Sequence, residues 1–253
     1  MRRIEVVGIG AGDPDHLTLQ AVAAMNRVDV FFTIDKGEAA ADLAALRAEL
    51  LARHVRREHR VVVAPEVPRD RDPDSYVRTA TEWQARRGTL YERMITDELD
   101  DGATGGFLVW GDPSLYDGTL PLLHDVAGRM PLEIVATPGI SSVAALAAAH
   151  GLVLNRVGTP VLITTGRRLA ERGMPRDVDD VVVMLDGRLA FADLPDADLE
   201  IYWGAYLGTK DEILRSGDLR AVRDEIVERR AAARARKGWI MDTYLLRRRP
   251  GDR

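Results

Sequence analysis

The residues best placed to do chemistry lie in two short turns rich in glycine and aspartate. The first, Gly8-Ile9-Gly10-Ala11-Gly12-Asp13-Pro14, follows the apolar run 4–7 and precedes a helical pattern that begins near Leu17. Glycine has no Cβ and tolerates positive φ, so such a turn brings backbone N–H and C=O groups against a small ligand. Its spacing matches neither common phosphate cradle. The dinucleotide fingerprint G-x-G-x-x-G needs glycine where Asp13 stands, and the chain contains no G-K-[ST]. A carboxylate at the mouth of the turn repels a pyrophosphate and suits a cationic or hydroxyl-rich ligand. The second turn, Gly111 to Asp117, closes the apolar segment 106–110 in the same way. A tight turn kept only for packing is the alternative reading of the first.

Other chemistries find little support. His16, His54, His59, His124 and His150 show no ligand spacing, and cysteine is absent, which excludes disulfides, thiolate nucleophiles and Cys–zinc sites. No metal is expected. A net charge of -5 and the lack of a basic stripe count against nucleic acid as a partner. No apolar run approaches the ~18 residues of a membrane span. Met1-Arg2-Arg3-Ile4 enters a strand without a signal-peptide apolar segment, so a cytoplasmic location is expected. Three lysines stand against thirty-two arginines, whose guanidinium groups grip carboxylates in a bidentate way. The run Arg229 to Arg236 reads as an exposed helix face, and Arg247 to Arg249 as a solvated tail.

The elements that must position the two turns alternate between strand and helix. Strands are expected at 4–7, 28–34, 60–63 and 106–110, with helices near 17–26, 39–53 and 76–100 between them. Further strands are expected at 132–136, 161–164, 181–185, 200–204 and 239–247, and helices over the alanine-rich segment to His150 and over 220–236. The proline- and charge-rich segment 67–74 reads as a loop. Such alternation implies α/β architecture with a largely parallel sheet, and ligands on such sheets bind beyond the carboxyl ends of strands. Both glycine turns fall at such ends. With 253 residues the chain divides into two α/β halves, expected at 1–115 and 116–253, with the active site in the cleft between them.

Four segments together carry a family resemblance. They are the first turn continuing into Asp15-His16-Leu17-Thr18, Val109 to Tyr116, Thr137-Pro138-Gly139-Ile140-Ser141-Ser142, and Gly208-Thr209. In this order they resemble the motifs of the tetrapyrrole (corrin/porphyrin) methylases across the whole chain. The strings at 107–119, 164–170, 181–187, 201–214 and 238–249, and the Arg69 to Trp83 run, look most like members of that family that methylate C-1 of precorrin-5 and release its acetyl group as acetate. Gly118 and Pro121 depart from that pattern, which leads one to expect serine and arginine there.

The resemblance implies two α/β domains of the tetrapyrrole methylase type. The N-terminal one would carry a parallel sheet on the tetrapyrrole side of the cleft, and the C-terminal one a mixed sheet that contributes to the donor site. It implies S-adenosylmethionine (SAM) as methyl donor, S-adenosylhomocysteine (SAH) as its product, a precorrin-type acceptor, no membrane partner, and a homodimer. A sulfonium and an ammonium group suit Asp13 and Asp112. Carried over by motif, donor contacts fall on Gly10, Ala11, Gly12, Asp13, Trp110, Gly111, Asp112, Leu115, Ser141, Ser142, Leu185 and Gly208. Ser141 serves equally as a helix cap, and the rings of Trp110 and Tyr116 equally as core. For acetyl loss, Asp35 and Asp117 are candidate general bases and Tyr116 a candidate oxyanion stabiliser, with turn capping the alternative for each aspartate. Lys36, Arg167 and Arg168 are candidates for the acceptor's acetate and propionate groups, or ordinary solvated charges. A relative acting on another precorrin or a non-corrin acceptor, or a SAM-binding protein without turnover, remains the alternative function.

Overall fold

Strands of the first half are apolar on both faces because helices cover both. The computed structural model describes residues 1–35, 37, 41–68, 76–195 and 198–249, with backbone alone for 76–80. Contacts divide it into two compact units, one of residues 1–10 and 14–141, the other of 11–13 and 142–253.

The first unit contains β1 (Arg2–Gly8), α1 (Leu19–Met25), β2 (Val30–Asp35), α2 (Ala41–His54), β3 (Arg60–Pro65), α3 (Tyr76–Glu98), β4 (Thr104–Val109), α4 (Thr119–Ala127) and β5 (Leu132–Thr137). Its sheet runs β3-β2-β4-β1-β5, and every neighbouring pair is parallel. Successive strand residues pack to opposite faces. Ile4, Val6, Phe32 and Phe107 meet Tyr91, Ile95, Leu122 and Leu123 from α3 and α4, while Val7, Phe31 and Leu108 meet Ala21, Met25, Leu46 and Leu50 from α1 and α2. Thr18 caps α1, its Oγ1 accepting from Ala21 N–H at 3.0 Å. α4 was not expected. Pro121 suggests a break, but it sits in the helix's first turn, where an N–H has no intrahelical acceptor to lose.

β5 corrects the expected boundary. It pairs in register with β1, from Arg2 opposite Leu132 to Val7 opposite Thr137, so 116–141 belong to the first unit. The division falls at 141/142 rather than at 115/116, because a strand joins the sheet whose edge its register fits.

The second unit holds α5 (Ser142–Ala149), β6 (Val161–Thr165), α6 (Gly166–Arg172), β7 (Asp180–Met184), β8 (Leu199–Ala205), β9 (Ile213–Asp218), α7 (Leu219–Lys237) and β10 (Asp242–Arg248). Its sheet is mixed, in the order β6-β7-β10-β8-β9, with only β6 and β7 parallel. Trp203, Tyr244 and Phe191 centre its core, with Val222 and Ile226 of α7 against them. β9 was not expected and supplies the antiparallel edge.

Two readings of arginine are overturned here. Arg230, assigned to an exposed helix face, is 6% exposed. It donates Nε to Asp242 Oδ2 at 2.8 Å and Nη2 to Asp242 Oδ1 at 3.2 Å and to the Asp186 carbonyl at 2.9 Å. Arg247 to Arg249 are no loose tail. Arg247 donates from β10 to buried Asp180 at 2.5 Å and to the Leu154 carbonyl at 3.0 Å, and Arg248 donates to the Pro175 carbonyl at 2.8 Å. Charge runs look solvated in sequence because their counter-ions lie far away along the chain.

Candidate active site

In the first sheet β1 and β4 are neighbours, but α1 leaves toward one face and α4 toward the other. Connections that diverge from adjacent parallel strands open a crevice at their carboxyl ends, where ligands bind in such sheets. Both glycine turns start there. A Cβ on Gly8 would lie 2.6 Å from Gly139 N and 2.9 Å from Gly111 O, and one on Gly139 would lie 2.2 Å from Gly111 O. The backbones after β1, β4 and β5 therefore touch directly, with no room for a side chain. Gly10 and Gly111 exchange hydrogen bonds, Gly111 N–H to Gly10 O at 2.8 Å and Gly10 N–H to Gly111 O at 3.3 Å. Gly10 has φ +83° and abuts His16, which further requires glycine.

Asp112 ties the cluster together. Oδ2 accepts from Gly139 N–H at 2.9 Å, and Oδ1 accepts from Ser114 N–H at 2.8 Å and from the Ser114 hydroxyl. Burial works against its ionisation, but the bonds from Ser114 and Gly139 outweigh this and hold its carboxyl below the ordinary aspartate range. The sign of the linkage follows. A depressed folded pKa adds stability above the unfolded value of about 3.9, lost as pH falls through the lower folded one. Asp112→Asn should therefore lower Tm by a few degrees at pH 7, and the gap to wild type should narrow as the pH falls below the unfolded value of about 3.9. Thermal scans across that range check it; a gap independent of pH would exclude the carboxylate's charge as the cause.

The other expected residues fall into distinct settings. Leu115 is half-buried, its N–H donating to the Asp112 carbonyl at 3.2 Å. Trp110 packs against the core cluster that holds Val7, Ile9 and Leu108, with Nε1 buried and without an acceptor among the described residues. Tyr116 adopts φ +53° and is 46% exposed. That left-handed backbone costs of order 1–3 kcal/mol for a residue with a side chain. Asp117 Oδ1 accepts from Thr119 N–H at 2.7 Å at the start of α4, and Asp35 Oδ1 from Gly37 N–H at 2.8 Å after β2. Asp35 thus caps a turn at the carboxyl edge of β2, and Asp117 the turn that leads into α4. Ser141 directly precedes α5, the position of a helix cap.

In the second unit, Ala11 and Gly12 are buried and Asp13 is half-buried. Gly12, at φ +152°, lies against Leu207 O and Thr209, which a Cβ would meet at 2.5 and 2.6 Å. Gly208, φ +74°, donates its N–H to Glu212 at 2.7 Å. Ser142 Oγ accepts from the Thr243 hydroxyl at 3.2 Å. Leu185 follows β7 at φ +53° and is 66% exposed, an unusual cost for an apolar residue that contributes nothing to a core. Tyr206, also left-handed at φ +51°, escaped notice in the sequence, since nothing local marks a tyrosine for that conformation. Arg167 and Arg168 are exposed on α6, each facing Glu171, at 3.9 and 3.7 Å. Lys36 lies outside the described residues.

A parallel sheet whose first and fourth strands end in touching glycine turns, followed by a mixed sheet, defines the class. The chain belongs to the tetrapyrrole (corrin/porphyrin) methylases, whose family model matches residues 3–223. It is 47% identical over 251 residues to a precorrin-6A synthase [deacetylating] of Sinorhizobium sp, covering 98% of this chain and 96% of that one. Among solved structures it resembles the cobalamin synthesis related protein CobF of Corynebacterium diphtheriae, with TM-score 0.82, 35% identity and 98% of each chain covered. The fold is also that of uroporphyrin-III C-methyl transferase from Thermus thermophilus complexed with S-adenosyl homocysteine, with TM-score 0.61, 18% identity, and 96% and 91% coverage. Among the described residues no helix is long and apolar enough to cross a membrane.

Proposed function

We propose that this protein is a SAM-dependent C-methyltransferase of cobalamin biosynthesis, which methylates precorrin-5 at C-1 and releases acetate to give precorrin-6A. The observation that carries this reading is the 47% identity with a precorrin-6A synthase over nearly the whole length of both chains. The site residues fit the donor. Gly8, Gly10, Gly111 and Gly139 form a cradle of bare backbone. Asp112 keeps a negative charge beside it, and exposed Leu185 offers an apolar surface. When bound, SAM supplies an electrophilic methyl group on a sulfonium. In this reading Gly10, Ala11, Gly12, Asp13, Trp110, Gly111, Asp112, Leu115, Ser141, Ser142, Leu185 and Gly208 hold the donor, largely through backbone groups.

Alignment of the reactants supplies much of the rate, since proximity is worth on the order of 7–11 kcal/mol. Asp35 or Asp117 takes a proton from water as it adds to the acetyl carbonyl, and the Tyr116 hydroxyl steadies the oxyanion. The bond between acetyl and macrocycle then breaks, its electron pair passes to the macrocycle, and acetate leaves. Lys36, Arg167 and Arg168 receive acceptor carboxylates. Two copies form a dimer in the cytoplasm, acting without a metal, nucleic acid or membrane. Mass spectrometry of a precorrin-5 incubation tests the reaction: one methyl gained and one acetyl lost is expected, and methyl gain alone would assign another acceptor chemistry. Titration with SAH tests the donor site. Asp112→Ala should weaken SAH binding about tenfold, roughly 1.4 kcal/mol, and more than Asp117→Ala does; the reverse order would displace the donor from the Gly10–Gly111 turns.

A further inference from the structure

Two guanidinium groups lie near the carboxyl edge of the first sheet, outside the residues read above as donor contacts. Arg47, on α2, donates Nε to the Leu108 carbonyl of β4 at 3.2 Å. Arg87, on α3, lies 4.7 Å over the Trp83 ring and 5.6 Å over that of Tyr91, and donates Nη2 to the Tyr91 hydroxyl at 3.1 Å. A Cβ on Gly118 would stand 3.3 Å from Arg87 Nη1, so Arg87 reaches the backbone that follows Asp117. From helices on opposite faces of the sheet, Arg47 thus reaches the end of β4 and Arg87 the segment that follows Asp117.

Both side chains are half-buried, and neither has a carboxylate oxygen within 4.0 Å among the described residues. Arg27, Arg215 and Arg247 each close on a carboxylate instead. Burial pushes the Arg47 guanidinium below its ordinary pKa, against the opposing effect of Tyr91 and Asp117. Holding a guanidinium partly out of water without a close counter-ion is costly, and a bidentate carboxylate recovers that cost. The ring stack of Tyr91 on Phe107, 4.8 Å between centroids, anchors the Arg87 contact to the core.

We propose that Arg47 and Arg87 form a carboxylate-receiving pair for the acetate and propionate side chains of the tetrapyrrole acceptor, setting the macrocycle beside Asp117. The pair rests on the functional reading above and adds residues to it that no motif marks. Steady-state turnover of precorrin-5, with SAH titration of the same samples, tests it. Arg47→Met and Arg87→Met should each raise the acceptor KM about tenfold or more, with SAH affinity within about twofold of wild type. Arg→Lys at either position keeps the charge but not the fork, and should fall between. Arg93→Met, exposed on the same helix, should leave the acceptor KM unchanged. Unaltered acceptor KM in variants that bind SAH normally would overturn the proposal. Should a methionine variant fail to fold, the lysine variant decides, and a wild-type KM there overturns it equally. Wild-type protein that neither binds SAH nor consumes precorrin-5 would instead remove the functional reading.

Discussion

Replacing Gly139 with alanine should abolish measurable SAH binding and destabilise the first unit by roughly 3 kcal/mol or more. The added methyl would lie 2.2 Å from Gly111 O, 2.7 Å from Gly8 C and 2.8 Å from Gly8 Cα. Favourable non-bonded separations begin near 3.5 Å. All three obstacles are backbone atoms, so no rotamer change relieves them. The turns after β1 and β4 must move by about an ångström, and the Asp112 bond to Gly139 N–H goes with them. Gly102→Ala is the control: it carries φ +84° yet nothing lies within 4 Å of its added Cβ. That change should cost only the left-handed penalty, about 1–2 kcal/mol, and leave SAH affinity intact. Calorimetric titration and thermal scans measure both. Normal SAH binding by the Gly139 variant would show that the contact of the three turns is dispensable.

The largest loss of stability in the second unit is expected from Asp242→Ala, about 3–5 kcal/mol, the usual cost of stripping a buried guanidinium of its partner. Asp242 is 8% exposed and Arg230 6%. Besides both Arg230 bonds, Asp242 Oδ2 accepts the Trp203 indole N–H at 3.0 Å. Nearby, burial and then the Asp186 carboxylate hold the Tyr244 hydroxyl firmly protonated, its O–H donating to Asp186 Oδ2 at 2.6 Å. Removing Asp242 leaves Arg230 Nε and the Trp203 indole N–H without their acceptor. Arg230→Met combined with Asp242→Leu should be more stable than Asp242→Ala alone, since no charge is then stranded. Urea unfolding of the wild type, Asp242→Ala and the double variant decides the matter; a double variant no more stable than Asp242→Ala would refute the coupling.

How far the site was legible follows from what local sequence can report. A short apolar run ending in Gly-x-Gly-x-Gly-Asp announces a strand and a turn, because backbone conformation at those residues depends on their own side chains. The placement of both turns at carboxyl ends and the choice against phosphate came from that level. α4 was hidden because the sign of Pro121 depends on whether it falls in the first turn or later. Arg47 and Arg87 were invisible among thirty-two arginines, since their distinction lies in what they lack nearby.

Sequence by itself determined the α/β alternation, the positions of the two glycine–aspartate turns and the family to which they belong. Tertiary structure alone decided that β5 closes the first sheet beside β1, that Gly8, Gly111 and Gly139 touch, and that Arg230 is core. The reason is range. Periodicity and turn chemistry act over a few residues, whereas strand partnership, backbone contact and charge pairing join residues such as Gly8 and Gly139, or Arg247 and Asp180. Their meeting depends on how every intervening element packs.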